Sequence, residues 1–145
     1  MSEWKTLLLL AAALSAPVVG AADARLSLAE VPVADTELVA PAAYSKASAL
    51  AARGGAALDI ALAIAGEFAG STQHIIQVNE GSEAPSASHI TVVRDGLLDD
   101  SVRGERWDIV LERTGAGRWR IAEVKRAWRC RRGEPTDRFA TRLCP

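Results

Sequence analysis

Few side chains in this sequence are able to do chemistry. His74 and His89 are its only histidines, each at or near the start of a segment that alternates like a strand. Two imidazoles serve acid–base or metal chemistry when a fixed spacing brings them together. No such spacing exists here, and an imidazole at a strand edge is ordinary surface. A pocket that binds or isomerises a small molecule would need His74, His89 or Asp108 turned inward. The turn 95–101, DGLLDDS, gathers Asp95, Asp99 and Asp100, with Glu105 beyond. It does not fit a calcium loop, because Gly96 directly follows the first aspartate and Glu105 falls at the wrong spacing. Aspartate forms turns through its own backbone, so the reading is a connection salt-bridged by Arg94, Arg103 and Arg106. Neither a metal nor a cofactor is expected. The sequence has no Gly-x-Ser-x-Gly, no phosphate-cradling glycine loop and no His-Glu-x-x-His. These absences favour a non-catalytic protein.

The stretch 118–132, RWRIAEVKRAWRCRR, interleaves arginine with Trp119 and Trp128. In a cytoplasmic protein, arginine on phosphate and tryptophan on bases would point to nucleic acid. The leader described below argues against that partner. Arg126, Arg129, Arg131 and Arg132 instead make a candidate anion-binding patch for an envelope component or an acidic protein partner. The competing reading packs these arginines over the tryptophan rings and pairs them with Glu123 and Glu134.

Cys130 and Cys144 are the only cysteines, with 13 residues between them. A zinc site would need closer spacing and more ligands, and a redox pair would be Cys-x-x-Cys. In an oxidising compartment the isolated pair reads as one disulfide closing the tail onto the last strand.

The compartment is read from the first 24 residues. Lys5 precedes an unbroken apolar run from Leu7 to Leu14, Ser15 to Gly20 loosen the chain, and Ala22-Asp23-Ala24 is a small-x-small cleavage pattern. Cleavage after Ala22 or Ala24 would release the protein into a bacterial periplasm or the medium; an uncleaved leader would be an anchor. The run falls short of the ~20 apolar residues needed to span a bilayer, and no cysteine near the cut invites a lipid. Residues 25–145 are neutral overall but divided. Positions 25–100 hold four basic and ten acidic residues, and positions 101–145 hold twelve basic and six acidic. Overall neutrality gives no general attraction to polyanions.

Residues 25–41, with Pro32 and Pro41, read as an extended lead-in to a single domain over 42–145. A helix is expected over 42–52, broken by Gly54-Gly55. A second, over 56–69, is apolar around most of its circumference and must be wrapped by other structure. The period then changes to two. Strands are expected over 73–79, 89–94, 106–113 and 118–130, the last two joined by a turn at 114–117. In the last strand Trp119 and Ile121 differ in parity from Val124, Trp128 and Cys130, and a β-bulge near Ala122 or Glu123 would restore one face. The expected fold class is α+β: one or two helices on a curved four-stranded antiparallel meander, with a C-terminal loop closed by the disulfide.

The block 95–133, DGLLDDSVRGERWDIVLERTGAGRWRIAEVKRAWRCRRG, resembles a signature of small, exported, uncharacterised bacterial proteins. In that family the Gly-Leu-x-Asp-Asp-Ser-Val turn, the Trp-Arg-Ile strand and the Arg-x-Trp-Arg-Cys end precede a final cysteine. The resemblance implies export and carries no activity. The closing hairpin, GRWRIAEV, is similar to that of NTF2-like and cystatin-like α+β folds. That likeness implies a rolled sheet and, for the NTF2-like class, an internal pocket.

Overall fold

The computed structural model describes residues 28–145. The expected leader and the first residues of the lead-in lie outside the described residues. Strand β1 (Glu37–Leu38) is followed by helices α1 (Ser45–Ala52) and α2 (Ala57–Ala65). Strands β2 (Thr72–Glu80), β3 (Ala87–Asp95), β4 (Val102–Arg113) and β5 (Trp119–Cys130) complete an antiparallel sheet in the order β1-β5-β4-β3-β2. The class is α+β, as expected, but the sheet has five strands rather than four. The additional strand comes from the lead-in, where two residues pair with Arg126 and Lys125. A strand of that length shows no alternation for a sequence reading to detect.

The predicted bulge is present. Register slips by one residue between Val110 and Leu111, leaving Ala122 as the extra residue in β5, and again around Arg103 in β4. With Ala122 skipped, Trp119, Ile121, Val124, Arg126 and Trp128 share the helix side of the sheet, opposite Trp107, Ile109 and Leu111 of β4. The main core lies there. Ile60 and Ile64 of α2 pack with Ile90, Val92, Trp107, Ile109, Leu111, Trp119 and Val124. Each such aliphatic side chain contributes roughly 1.5–3 kcal/mol on burial. Small residues face each other between the helices and the sheet: Ala47, Ala51, Ala57, Ala61 and Ala65 are all buried, so the backbones approach closely. The opposite face carries a smaller cluster, in which Leu28, Val31 and Phe139 cover Val93 and Ala127.

The end of α2 is fixed by a side chain from the sheet. Gly66 takes φ +74°, a conformation glycine adopts without the strain of a Cβ, and the chain turns out of the helix there. The carbonyls thus left without helical partners are met by Arg94, which is only 2% exposed. Its Nη1 donates to Ala65 O (2.7 Å) and its Nη2 to Gly66 O (2.7 Å). Nη1 also reaches Glu105 Oε1 (2.9 Å), and Nε donates to Gln73 Oε1 (2.8 Å). One guanidinium therefore ties α2 to β2, β3 and β4, with its charge at the negative end of the helix dipole.

Two stability predictions follow, one from Arg94 and one from the disulfide that joins Cys130 at the end of β5 to Cys144. Arg94→Met should lower unfolding free energy by about 3–5 kcal/mol, since it strands the helix carbonyls and the Glu105 carboxylate. A urea midpoint unmoved at constant slope would show the contact to be dispensable. Cys144→Ser should cost about 3 kcal/mol by freeing the tail, and proteolysis should then cut first at Arg131 or Arg132.

Candidate functional site

The tail is more ordered than a stapled loop. Cys130 and Cys144 are bonded, with Cα atoms 5.3 Å apart. Between them, Phe139 is fully buried against Ala127, and Ala140 exchanges two backbone hydrogen bonds with Trp128, each 2.9 Å. Trp128 Nε1 donates to Arg142 O (2.8 Å), and Asp35 of the lead-in accepts from Thr141 N (2.7 Å) and Oγ1 (3.0 Å). The lead-in and the tail thus hold each other and the outer edge of β5. Beside the disulfide is an open cleft of about 390 Å³, bordered by Asp100, Arg126, Trp128 and Leu143.

The four arginines singled out in the sequence do not share a surface. Arg126 lies on the helix side, its guanidinium 5.4 Å from the Trp107 ring and 5.2 Å from the Trp128 ring, paired with Glu37 Oε1 at 2.7 Å. Arg129 points to the opposite face, over Phe139, and its side chain is 9% exposed and paired with Asp95 at 2.7 Å. Both are engaged by rings and carboxylates, as the competing reading anticipated, although only Arg129 is buried, Arg126 being 40% exposed, and their partners are Glu37 and Asp95 rather than Glu123 and Glu134. Arg131 is exposed and clamps the 96–101 turn, donating to Leu97 O (2.5 Å) and Asp99 O (3.1 Å). Arg132 is exposed, with no carboxylate partner among the described residues. Arg142 was not singled out in the sequence, yet it is in the same condition and stands two residues from Cys144, as Arg132 does from Cys130. Each half of the disulfide thus has one such arginine near it in the chain, and only the pairing of the cysteines relates them.

The residues considered for a pocket sit elsewhere. His74, His89 and Asp108 all belong to the sheet face turned away from the helices, as their register with Val93, Val110 and Thr91 shows. His89 Nε2 contacts Glu80 Oε1 at 2.8 Å. Asp108 accepts from Thr91 Oγ1 (2.7 Å) and pairs with Arg106 (2.8 Å). His74 and His89 are four registers apart on neighbouring strands and do not meet. No group of three His, Cys, Asp or Glu able to hold a metal occurs among the described residues.

The acidic turn divides its labour. Asp99 accepts the N–H groups of Val102 (2.6 Å) and Ser101 (2.8 Å), which hold its carboxyl below the usual range, with Arg131 adding to the effect against a smaller cost of desolvation. Asp95 turns inward. Burial pushes its pKa up, but the hydrogen bond and charge of Arg129, the Gly96 N–H and the charge of Arg103 outweigh this and bring it below 3.8. Gly104 lies opposite Asp95, and a Cβ there would fall 2.7 Å from Arg94 O and 3.2 Å from Arg129 Nε. The missing side chain is what lets Arg129 cross to Asp95. Of the three arginines expected to pair with these carboxylates, Arg103 takes Asp95, Arg94 takes Glu105 while also capping α2, and Arg106 turns instead to Asp108.

Because the folded Asp95 has the lower pKa, its contribution is whole above about pH 4 and is lost as pH falls through the depressed value. Asp95→Asn should cost about 3 kcal/mol at pH 7, and the difference from the parent should shrink toward pH 2 in urea titrations. A difference independent of pH would exclude the ion pair as its source. No family model, curated protein or solved structure matches the chain.

Proposed function

We propose that this is an exported, non-catalytic binding protein that engages an anionic group of an envelope component or protein partner through its disulfide-clasped end. The observation that carries the reading is the placement of two exposed arginines without carboxylate partners, Arg132 and Arg142, on either side of one disulfide. Arg131 stands beside them, and Leu143, 84% exposed, offers an apolar contact at the rim of the cleft floored by Trp128. Arginine is suited to this task because its weakly hydrated planar head binds phosphate and carboxylate in bidentate fashion. The disulfide fits an oxidising compartment, and no described helix is long and apolar enough to cross a membrane. The leader-like N-terminus and the resemblance of residues 95–133 to exported bacterial proteins point the same way.

The pocket reading has less in its favour. The helix side of the sheet is packed with Ile60, Ile90, Val92, Ile109, Leu111 and Val124, each at most 1% exposed. A rolled NTF2-like or cystatin-like sheet remains the proposed descent of the closing hairpin, without the internal cavity of the former.

The test is co-sedimentation with vesicles containing phosphatidylglycerol, with pure phosphatidylcholine as control. The parent should bind the anionic vesicles and release in salt. Arg132→Ala with Arg142→Ala should weaken binding roughly 30-fold, from two basic contacts. The matched loss of charge at Lys46 and Arg53, on and just after α1, should change it little. Equal effects of the two double variants would reduce the interaction to net charge and remove the site.

A further inference from the structure

The two edges of the sheet are treated differently. Along β5, Val39 N–H donates to Val124 O (2.9 Å), β1 pairs with Lys125 and Arg126, and Ala140 bonds Trp128 in both directions. Cys130 N–H, at the strand's end, donates to Pro135 O (2.6 Å). That edge is covered from Val124 to Cys130, seven of its twelve residues. On the other side, β2 pairs with β3 from Thr72↔Asp95 to Glu80↔Ala87 without a slip, and no described residue pairs with its outer side.

An open edge of nine residues presents a row of unpaired N–H and C=O groups ~30 Å long. Proteins blunt such edges with lysine, proline, a bulge or a covering segment. Strand β2 has none of these. It contains no Lys, Arg or Pro, and its one carboxylate, Glu80, is at the last position. Its apolar side chains face outward on both sides of the sheet, with Ile75 38%, Ile76 42% and Val78 58% exposed.

We propose that β2 pairs antiparallel with β2 of a second copy of this chain, about a two-fold axis through Ile76, joining two five-stranded sheets into one of ten strands. Self-complementarity in this register identifies the occupant. Ile76 meets Ile76, and His74 meets Val78 twice, so the row Val78, Ile76, Ile76, Val78 runs unbroken by charge across the open face. On the helix side Ile75 meets Gln77 and Gln73 meets Asn79, while Thr72 meets Glu80. No like charges are opposed, and His89 already contacts Glu80. Opposed apolar and polar pairs of this kind stabilise neighbouring strands. A contact of this kind uses the same patch on both copies and closes on itself, so the edge ends in a dimer and not in a filament.

Sedimentation equilibrium of the purified chain should give twice the chain mass, falling to one chain on dilution. Ile76→Lys sets two ammonium groups against each other on the axis and should weaken association at least about tenfold, with the monomer's thermal unfolding unchanged. Ile76→Cys should yield a disulfide-linked dimer under mild oxidation. Directly opposed Cα atoms lie ~4.5–5.5 Å apart in an antiparallel pair, within disulfide reach. Leu98→Cys, exposed and off the axis, should cross-link far more slowly. A mass of one chain at concentrations up to about 1 mM would overturn the proposal. So would a dimer indifferent to Ile76→Lys, or a residue-76 cysteine that cross-links no faster than one at 98.

Discussion

The buried guanidinium of Arg94 sets the constraint that the rest of the molecule obeys. A nine-residue helix is too short to be stable alone, and α2 ends at a glycine with its last carbonyls turned inward. Such groups are costly to bury without donors. Arg94 supplies those donors from the centre of the sheet and takes its countercharge from Glu105 on the next strand. The helix is thereby placed at one level over the sheet, and Ile60 and Ile64 meet Ile90, Val92 and Ile109 at that level. The next residue, Asp95, faces the other way and organises the opposite surface through Arg129 and Arg103. Two consecutive residues of opposite charge thus anchor two faces, because strand geometry sends neighbours to opposite sides.

Much of this architecture was legible in the sequence. Both helices, the four long strands, the Ala122 bulge, the turn at 114–117 and the disulfide follow from periodicity, glycine placement and cysteine count. The second helix ends earlier than its composition suggests, at Ala65 rather than Ala69, because Gly66 breaks it before the apolar pattern does. The short β1 escaped notice because two residues have no period. Arg94 was legible in principle, since it continues the inward parity of Ile90 and Val92. Its place beside the acidic turn points to the salt bridge it makes with Glu105, but the helix carbonyls it also meets lie almost thirty residues away and leave no local signal.

The candidate site was less legible for a related reason. Sequence proximity suggested that the arginines between 126 and 132 form one patch, but β5 alternates and sends Arg126 and Arg129 to opposite faces. Both are absorbed by carboxylates distant in sequence, Glu37 and Asp95. What stays free is set by tertiary closure: Arg132 and Arg142 are the exposed arginines left without carboxylates once the tail folds back. The division of charge between the two halves of the chain is met only in part across them: Glu37 takes Arg126, and Asp95 takes Arg103 and Arg129, while Arg106, Arg120, Lys125 and Arg138 pair with carboxylates of their own half.

The side-by-side packing of lead-in and tail has a consequence for how the protein is made. Val33 bridges Phe139, Asp35 holds Thr141, and Glu37 binds Arg126. These contacts of Val33, Asp35 and Glu37 therefore cannot form until residues 126–141 have been made. Contacts this distant make for slow closure, so this stretch of the lead-in waits for most of the chain to be made. Completion then comes as a single late event, in which the two extremities zip together and the sulfur bridge locks them.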